Sequence, residues 1–173
     1  MKTLVIHPED STTIFLKEIY KNKNNWTIID NPDMKREEII KAIQSHDRII
    51  MCGHGSGSGL FGGWFGYLIN DSIVPFLKKK KEIICIWCNA DIFVKKHNLE
   101  PILYTGMFIS DVYEASCMGI DGMLEEDIDD SNYLFAESIN YRIDEDNFFD
   151  NIVYDYNLDD PVVSYNRDRL FHG

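Results

Sequence analysis

The sequence predicts an α/β fold, a three-layer α-β-α sandwich built on a mostly parallel sheet, and three observations predict it. Short apolar runs such as TLVIH (residues 3–7), DRIIMC (47–52) and EIICIW (82–87) alternate with stretches of helical spacing. These runs are apolar throughout rather than at every second residue, as in strands covered on both faces. The chain has 173 residues, 45% of them hydrophobic, which fits one domain with a sizeable core.

Each element has its own reason. After the first strand, STTIFLKEIYKN has a Ser/Thr start and apolar residues at Ile14, Phe15, Ile19 and Tyr20, spaced as on one side of a helix. WTIID (26–30) is the second strand, closed by NPD. MKREEIIKAIQSH is an amphipathic helix with Ile39, Ile40 and Ile43 on one side. DRIIMC is the third strand, and the glycine-rich GHGSGSGLFGGWFG after it is expected to lack regular structure. NDSIVPFLKKKK is a helix with Pro75 in its first turn, where a missing N–H is harmless. Its lysines lie at the C-terminal end, where the macrodipole favours them. EIICIW is the fourth strand, DIFVKKH a short helix and PILYTGMFI the fifth strand. Beyond residue 110 the pattern turns helical in SDVYEASCMG, SNYLFAESINYRI and EDNFFDNIVYDYN, with EEDIDDSN as an acidic turn. The tail DDPVVSYNRDRLFHG reads equally as extended or disordered. The expected organisation is a single domain over 1–173, with the sheet and catalytic region in 1–120 and an acidic helical part in 121–173.

Charge narrows the function classes. The net charge is −12, with 14 Lys+Arg against 12 Asp+Glu before residue 106 and 3 against 17 after it. Such an acidic surface repels phosphate backbones, which argues against a nucleic-acid partner. The acidic C-terminal third is either a solvated face or a pocket for a basic group. No run approaches the roughly 20 apolar residues that span a bilayer, and MKTLVIHPED lacks the core of a signal peptide. A cytoplasmic protein without a membrane partner is expected. Cys52, Cys85, Cys88 and Cys117 then read as thiols rather than a disulfide framework.

Two apolar runs stop at reactive side chains: IIMCGHGSGSG (49–59) at His54, and EIICIWCNAD (82–91) at Cys88. In open parallel sheets, catalytic groups collect beyond the carboxyl ends of the strands. A right-handed crossover with one helix places these two strands side by side, so imidazole and thiol would face each other. A thiol near an imidazole becomes a thiolate at lower pH and hence a nucleophile. The N–H groups of Gly55 and Cys88 would point into the same mouth as oxyanion donors, and a glycine lets a substrate carbonyl approach closely.

A hydrophobic block ending in His-Gly, followed by a second ending in Cys, resembles the caspase-like fold of cysteine peptidases: caspases, metacaspases, gingipains, clostripain and CHAT-type bacterial proteases. IIMCGHGS is similar to their histidine block, IICIWCNAD to the cysteine block and PILYTGMFISDVYEA to the strand and turn that help form the specificity pocket. The resemblance covers roughly residues 3–120. It implies a cysteine endopeptidase in which Cys88 is the nucleophile and His54 its partner, with no obligatory third member and with a protein or peptide as substrate. Bacterial members of the group act in stress or antiphage pathways, some switched on by a protein partner or a small signalling molecule, and such a role is implied here. Two departures stand out. Trp87 replaces the acidic or small residue that many relatives carry before the cysteine. The link from Asp91 to Glu100 is also short, which implies a single uncut working chain.

Specificity follows from what is missing. A pocket for acidic side chains needs arginine, and none lies between Arg48 and Arg142. Asp111 and Glu114 follow the fifth strand, and Asp91 follows Cys88. In metacaspases and gingipains carboxylates select Arg or Lys through charge-assisted hydrogen bonds. The resemblance therefore implies substrate binding by Asp91, Asp111 and Glu114 and cleavage after basic residues. The competing reading makes Asp111 a helix cap and leaves Glu114 solvated.

Other readings stay open. His54 also reads as a polar loop residue and Cys88 as an inert buried thiol. CIWC has redox-pair spacing, but positions i and i+3 of a strand point to opposite faces. Zinc on Cys52, His54, Cys85 and Cys88 lacks a second tight chelating pair, so neither metal nor cofactor is expected. The alternative function is a non-catalytic nucleotide- or phosphate-binding module using GHGSGSG, although the loop matches neither the P-loop nor the dinucleotide fingerprint. A third is an acidic protein whose C-terminal helices recruit a basic partner. His7 reads as structural or at the edge of the cleft; His46, His97 and His172 read as surface residues.

Overall fold

Buried on both faces, the apolar runs become the strands of the sheet. The structure is a computed structural model that describes residues 1–63 and 66–173. Its strands are β1 (Thr3–Ile6), β2 (Thr27–Ile29), β3 (Arg48–Cys52), β4 (Gly55–Ser56), β5 (Gly59–Phe61), β6 (Tyr67–Ile69), β7 (Glu82–Ile86), β8 (Leu103–Thr105) and β9 (Leu170–Phe171). A 3₁₀ helix spans Ser11–Tyr20, and the α-helices are α1 (Arg36–Gln44), α2 (Val74–Leu77), α3 (Ala90–His97), α4 (Val112–Cys117), α5 (Glu125–Arg142), α6 (Phe148–Asp155) and α7 (Pro161–Arg167). Six strands form one sheet in the order β2-β1-β3-β7-β8-β9, parallel except for β9, which pairs antiparallel with β8. The expected adjacency of β3 and β7 is present, with Cys52 opposite Ile86.

Alternation along each strand feeds two cores. Leu4, Ile6, Ile49, Met51, Ile83 and Cys85 pack with Ile39 and Ile43 of α1 and with Phe93 and Val94 of α3. Val5, Ile50, Cys52, Ile84 and Ile86 pack with Phe15, Leu16 and Ile19 of the 3₁₀ helix and with Phe135, Ala136 and Ile139 of α5. Each fully buried side chain of this kind contributes about 2 kcal/mol relative to exposure. Arg48 lies at the opposite end of the sheet from His54. It is buried, and its guanidinium donates to Glu82, Asp144 and the carbonyl of Ile143, which ties the end of α5 to the sheet.

Several expected elements are corrected. The glycine-rich segment is not irregular: β4, β5 and β6 form a second, antiparallel sheet, although Trp64 and Phe65 lie outside the described residues. The glycines permit this packing, because a Cβ on Gly55 would sit 2.3 Å from Trp87 Cδ1. The first helix is 3₁₀ and kinked at Thr13, so Ile14 is exposed and Leu16 is buried in its place. The lysine run follows α2 rather than ending it, and Lys80 instead donates to the carbonyls of Gln44 and His46 at the end of α1. EEDIDDSN is the start of α5, not a turn: carboxylates suit a helix N-terminus, and Asp127 accepts from the Leu124 N–H. The tail is ordered as α7 and β9, with Asp160 capping α7 through the N–H groups of Val162 and Val163. The acidic C-terminal part therefore completes the second core and the sheet. No described helix is long and apolar enough to cross a membrane.

Candidate active site

Both reactive side chains emerge at the carboxyl ends of neighbouring strands. His54 follows β3 after Gly53, whose φ is +138°, a value that L side chains rarely adopt. Cys88 sits between β7 and α3, and Asn89 after it takes the left-handed conformation with φ 63° and ψ 31°. Asparagine tolerates that region better than most residues. The turn is clamped by Thr105, whose hydroxyl accepts from the Trp87 N–H at 3.1 Å and donates to the Trp87 carbonyl at 2.9 Å. Asn89 N–H donates to Gly106 O and Ala90 N–H to Trp87 O. That leaves the Cys88 N–H without a protein acceptor among the described residues. Gly55 pairs with Leu60 while the His54 carbonyl accepts from the Phe61 N–H, so the Gly55 N–H points away from β5.

His54 and Cys88 line one cavity of about 20 Å³ with Thr13, Phe15, Leu16, Trp87, Phe108 and Ser110. They share it without a hydrogen bond between them among the described residues. The thiol lies within donating range of the Phe108 carbonyl, at 3.5 Å. Burial pushes the Cys88 thiol above its ordinary pKa, and the Asp111 and Glu114 carboxylates add to the rise. The His54 imidazole is not among the groups that act on the thiol in this conformation. Cys52 and Cys85 are fully buried and pushed further up, whereas Cys117 is exposed. Cys85 sits in the sheet and Cys88 in the turn beyond it.

His54 is held by residues that sequence reading missed. Its Nε2 lies 2.6 Å from Thr12 Oγ1 and 3.9 Å from Asp10 Oδ1. Thr12 donates its hydroxyl to Asp10 Oδ1 at 2.6 Å, and its N–H to the same oxygen at 2.8 Å. These bonds hold the Asp10 carboxyl below its ordinary range. The available signal was the run DSTT, a helix-capping pattern. Trp87 is buried against Phe93, and its indole N–H donates to the Ser56 carbonyl, which fixes the β4–β5 hairpin beside His54.

Each of the expected specificity carboxylates already has a partner within the protein. Asp91 pairs with Lys95 in the first turn of α3. Asp111 caps α4 by accepting from the Glu114 N–H, and Glu114 accepts from the N–H and hydroxyl of Ser110 rather than being solvated. None of the three lines the Cys88 cavity. Asp111 lines a pocket of about 410 Å³ with Ser110, Glu125 and Asp129. His54 also lines a pocket of about 470 Å³ with Glu9, Asp10 and Asp33. The link after Cys88 is mostly helix, with Lys96 paired to Asp71. Among the described residues no group of three or more His, Cys, Asp or Glu side chains is placed to hold a metal ion.

Below the site, His7 is buried with Nε2 on Thr13 Oγ1 and Nδ1 on the Tyr20 hydroxyl. Burial lowers its pKa to about 4. Because the folded state resists protonation, stability is greatest above pH 6.5 and declines as the pH falls toward 4. The loss reaches about 3 kcal/mol, since each tenfold drop in proton affinity on folding is worth about 1.4 kcal/mol. Urea unfolding at pH 7 and pH 4.5 is expected to show this decline, and His7→Gln should reduce it. Equal slopes in both proteins would remove His7 as the cause. The surface expectation needs amending for His97, which meets Phe93 edge-on and bonds Asp71, and for His46, whose ring bonds Ala42 O and Thr27. His172 is exposed, its ring against Phe149.

No protein-family model matches the chain, and no curated protein is significantly similar to it.

Proposed function

We propose that the protein is a cysteine endopeptidase of the caspase-like kind, its helices flanking the sheet as a three-layer α-β-α sandwich. The observation that carries this reading is the placement of His54 and Cys88 at the ends of adjacent parallel strands, lining one cavity. The Cys88 thiol gives its proton to the His54 imidazole, and the thiolate attacks the scissile carbonyl. The Cys88 and Gly55 N–H groups receive the oxyanion. The imidazolium then protonates the leaving amine, and water hydrolyses the thioester.

In the resting conformation the cavity admits about one water molecule, and the thiol faces Phe108. Turnover thus requires the thiol to turn toward His54 and the cavity to widen. That supports an effector switched on by a protein partner or small signalling molecule, as in bacterial stress or antiphage defence. The phosphate-binding alternative is disfavoured by the carboxylates of Glu9, Asp10 and Asp33, which line the pocket beside the glycine-rich segment.

The two larger pockets flanking the dyad carry acidic side chains and neither Lys nor Arg, which supports cleavage after basic residues. Among fluorogenic peptides ending in Arg, Lys, Asp or Leu, those ending in Arg and Lys are expected to be cleaved fastest. Asp111→Ala should reduce that preference about tenfold, the size of one charge-assisted contact; Glu114→Ala tests the neighbouring carboxylate. Preference for Asp or Leu, or an unchanged Arg preference in both variants, would sink the specificity assignment.

A further inference from the structure

We infer that Asp10 and Thr12 are positioning residues that hold His54 as its Nε2–H tautomer and so make Nδ1 the proton acceptor for Cys88. The inference rests on the peptidase reading for its catalytic consequence, though not for its geometry.

The proton count settles the direction of each bond. Asp10 is an acceptor only, because its hydrogen bonds to Thr12 keep it ionised at neutral pH. The Thr12 hydroxyl carries one proton, and the 2.6 Å contact places it on Asp10 Oδ1. The same hydroxyl oxygen lies 2.6 Å from His54 Nε2 and has only lone pairs left to offer. Nε2 must therefore carry the hydrogen in the neutral ring, which leaves the lone pair on Nδ1. Among the described residues Nδ1 has no hydrogen-bond partner. When Cys88 loses its proton to Nδ1, the imidazolium keeps its Nε2–H on Thr12, with the Asp10 carboxylate 3.9 Å away. The chain Asp10–Thr12–His54 thus fixes ring orientation and tautomer and supplies a counter-charge, without either residue touching the reacting atoms.

The arrangement is itself braced. Thr13 next in sequence donates to the Asp10 carbonyl at 3.3 Å and receives His7 Nε2–H at 3.1 Å, and His7 Nδ1 receives the Tyr20 hydroxyl at 2.9 Å. The turn that presents Thr12 is thereby tied to the core.

The test uses the whole protein labelled with ¹⁵N-histidine, with His54 assigned by difference against His54→Ala. At alkaline pH the wild-type ring is expected to show its proton on Nε2. Thr12 is exposed, so Thr12→Val threatens no core packing. It should shift His54 toward the Nδ1–H form and lower kcat/KM on the Arg-ending peptide about tenfold, because the orienting partner sets the tautomer. Thr12→Ser, which restores the hydroxyl, should recover the wild-type tautomer and come within about twofold of its kcat/KM. An Nδ1–H ring in the wild type, or a tautomer unchanged in Thr12→Val, overturns the inference. The tautomer is read without turnover. An Nε2–H ring lost in Thr12→Val and regained in Thr12→Ser, in a protein that cleaves no peptide, would therefore uphold the positioning role and count against the peptidase reading alone.

Discussion

Replacing Cys88 by alanine is expected to leave peptide cleavage at background while the unfolding transition stays near its wild-type position. In the proposed reaction the sulfur is the atom that forms the thioester, so no neighbouring side chain replaces it. Cys52 and Cys85 are buried in the sheet, and Cys117 lies on α4. The loss should be at least about a thousandfold, the scale on which nucleophile removal acts in acyl-transfer enzymes. Structure should survive, because Cys88 sits in the turn before α3 and its side chain borders a cavity rather than filling a core layer. A stability change within about 1 kcal/mol is expected for such a deletion. His54→Ala should lose nearly as much activity, and the double variant little more than either single one, because the two groups act as a unit. The checks are progress curves with the Arg-ending peptide and thermal melts. More than about a tenth of wild-type turnover in either variant would remove the dyad assignment.

Gly59→Ala is expected to be the most damaging single-methyl change near the site. Gly59 holds φ +137° between β4 and β6, and a Cβ there would lie 1.9 Å from the Ile69 carbonyl oxygen. That neighbour is backbone in a paired strand, so relief requires moving β6 itself. Backbone strain costs about 1–3 kcal/mol and overpacking a similar amount, so a loss of about 3–5 kcal/mol is expected. Against a typical stability of about 5–15 kcal/mol this is a large fraction. Gly119→Ala is the control. Gly119 also has positive φ, +78°, but a Cβ there meets nothing within 4 Å. Its cost should be the conformational part alone, about 1 kcal/mol. Denaturant midpoints for the two variants separate clash from strain. Equal losses would show that the packing of β5 against β6 does not govern the effect.

The parallel strands were legible because a strand buried on both faces must be apolar at every position, a local property of β1, β3 and β7. Ile39 and Ile43 declared the buried face of α1, and Pro75 the start of α2, for similarly local reasons. The placement of His54 and Cys88 at the ends of adjacent strands followed from the tendency of successive strands of one sheet to neighbour each other.

The rest depended on partners far apart in the chain. Glycines around His54 looked like breakers, yet they form β4 and β5 because Trp87, 32 positions beyond Gly55, needs the space their missing side chains leave. Asp111 and Glu114 showed only their charge, and the fold also has them cap α4 and anchor Ser110. The acidic stretch at the start of α5 looked like a turn because charge hides helical spacing. Thr12 reaches His54 across 42 positions, and neither residue's neighbours in sequence indicate that contact. Burial writes a pattern into the sequence because it acts on every residue of an element. A hydrogen bond between two loops acts on one pair of atoms, and only the packed fold brings that pair within reach.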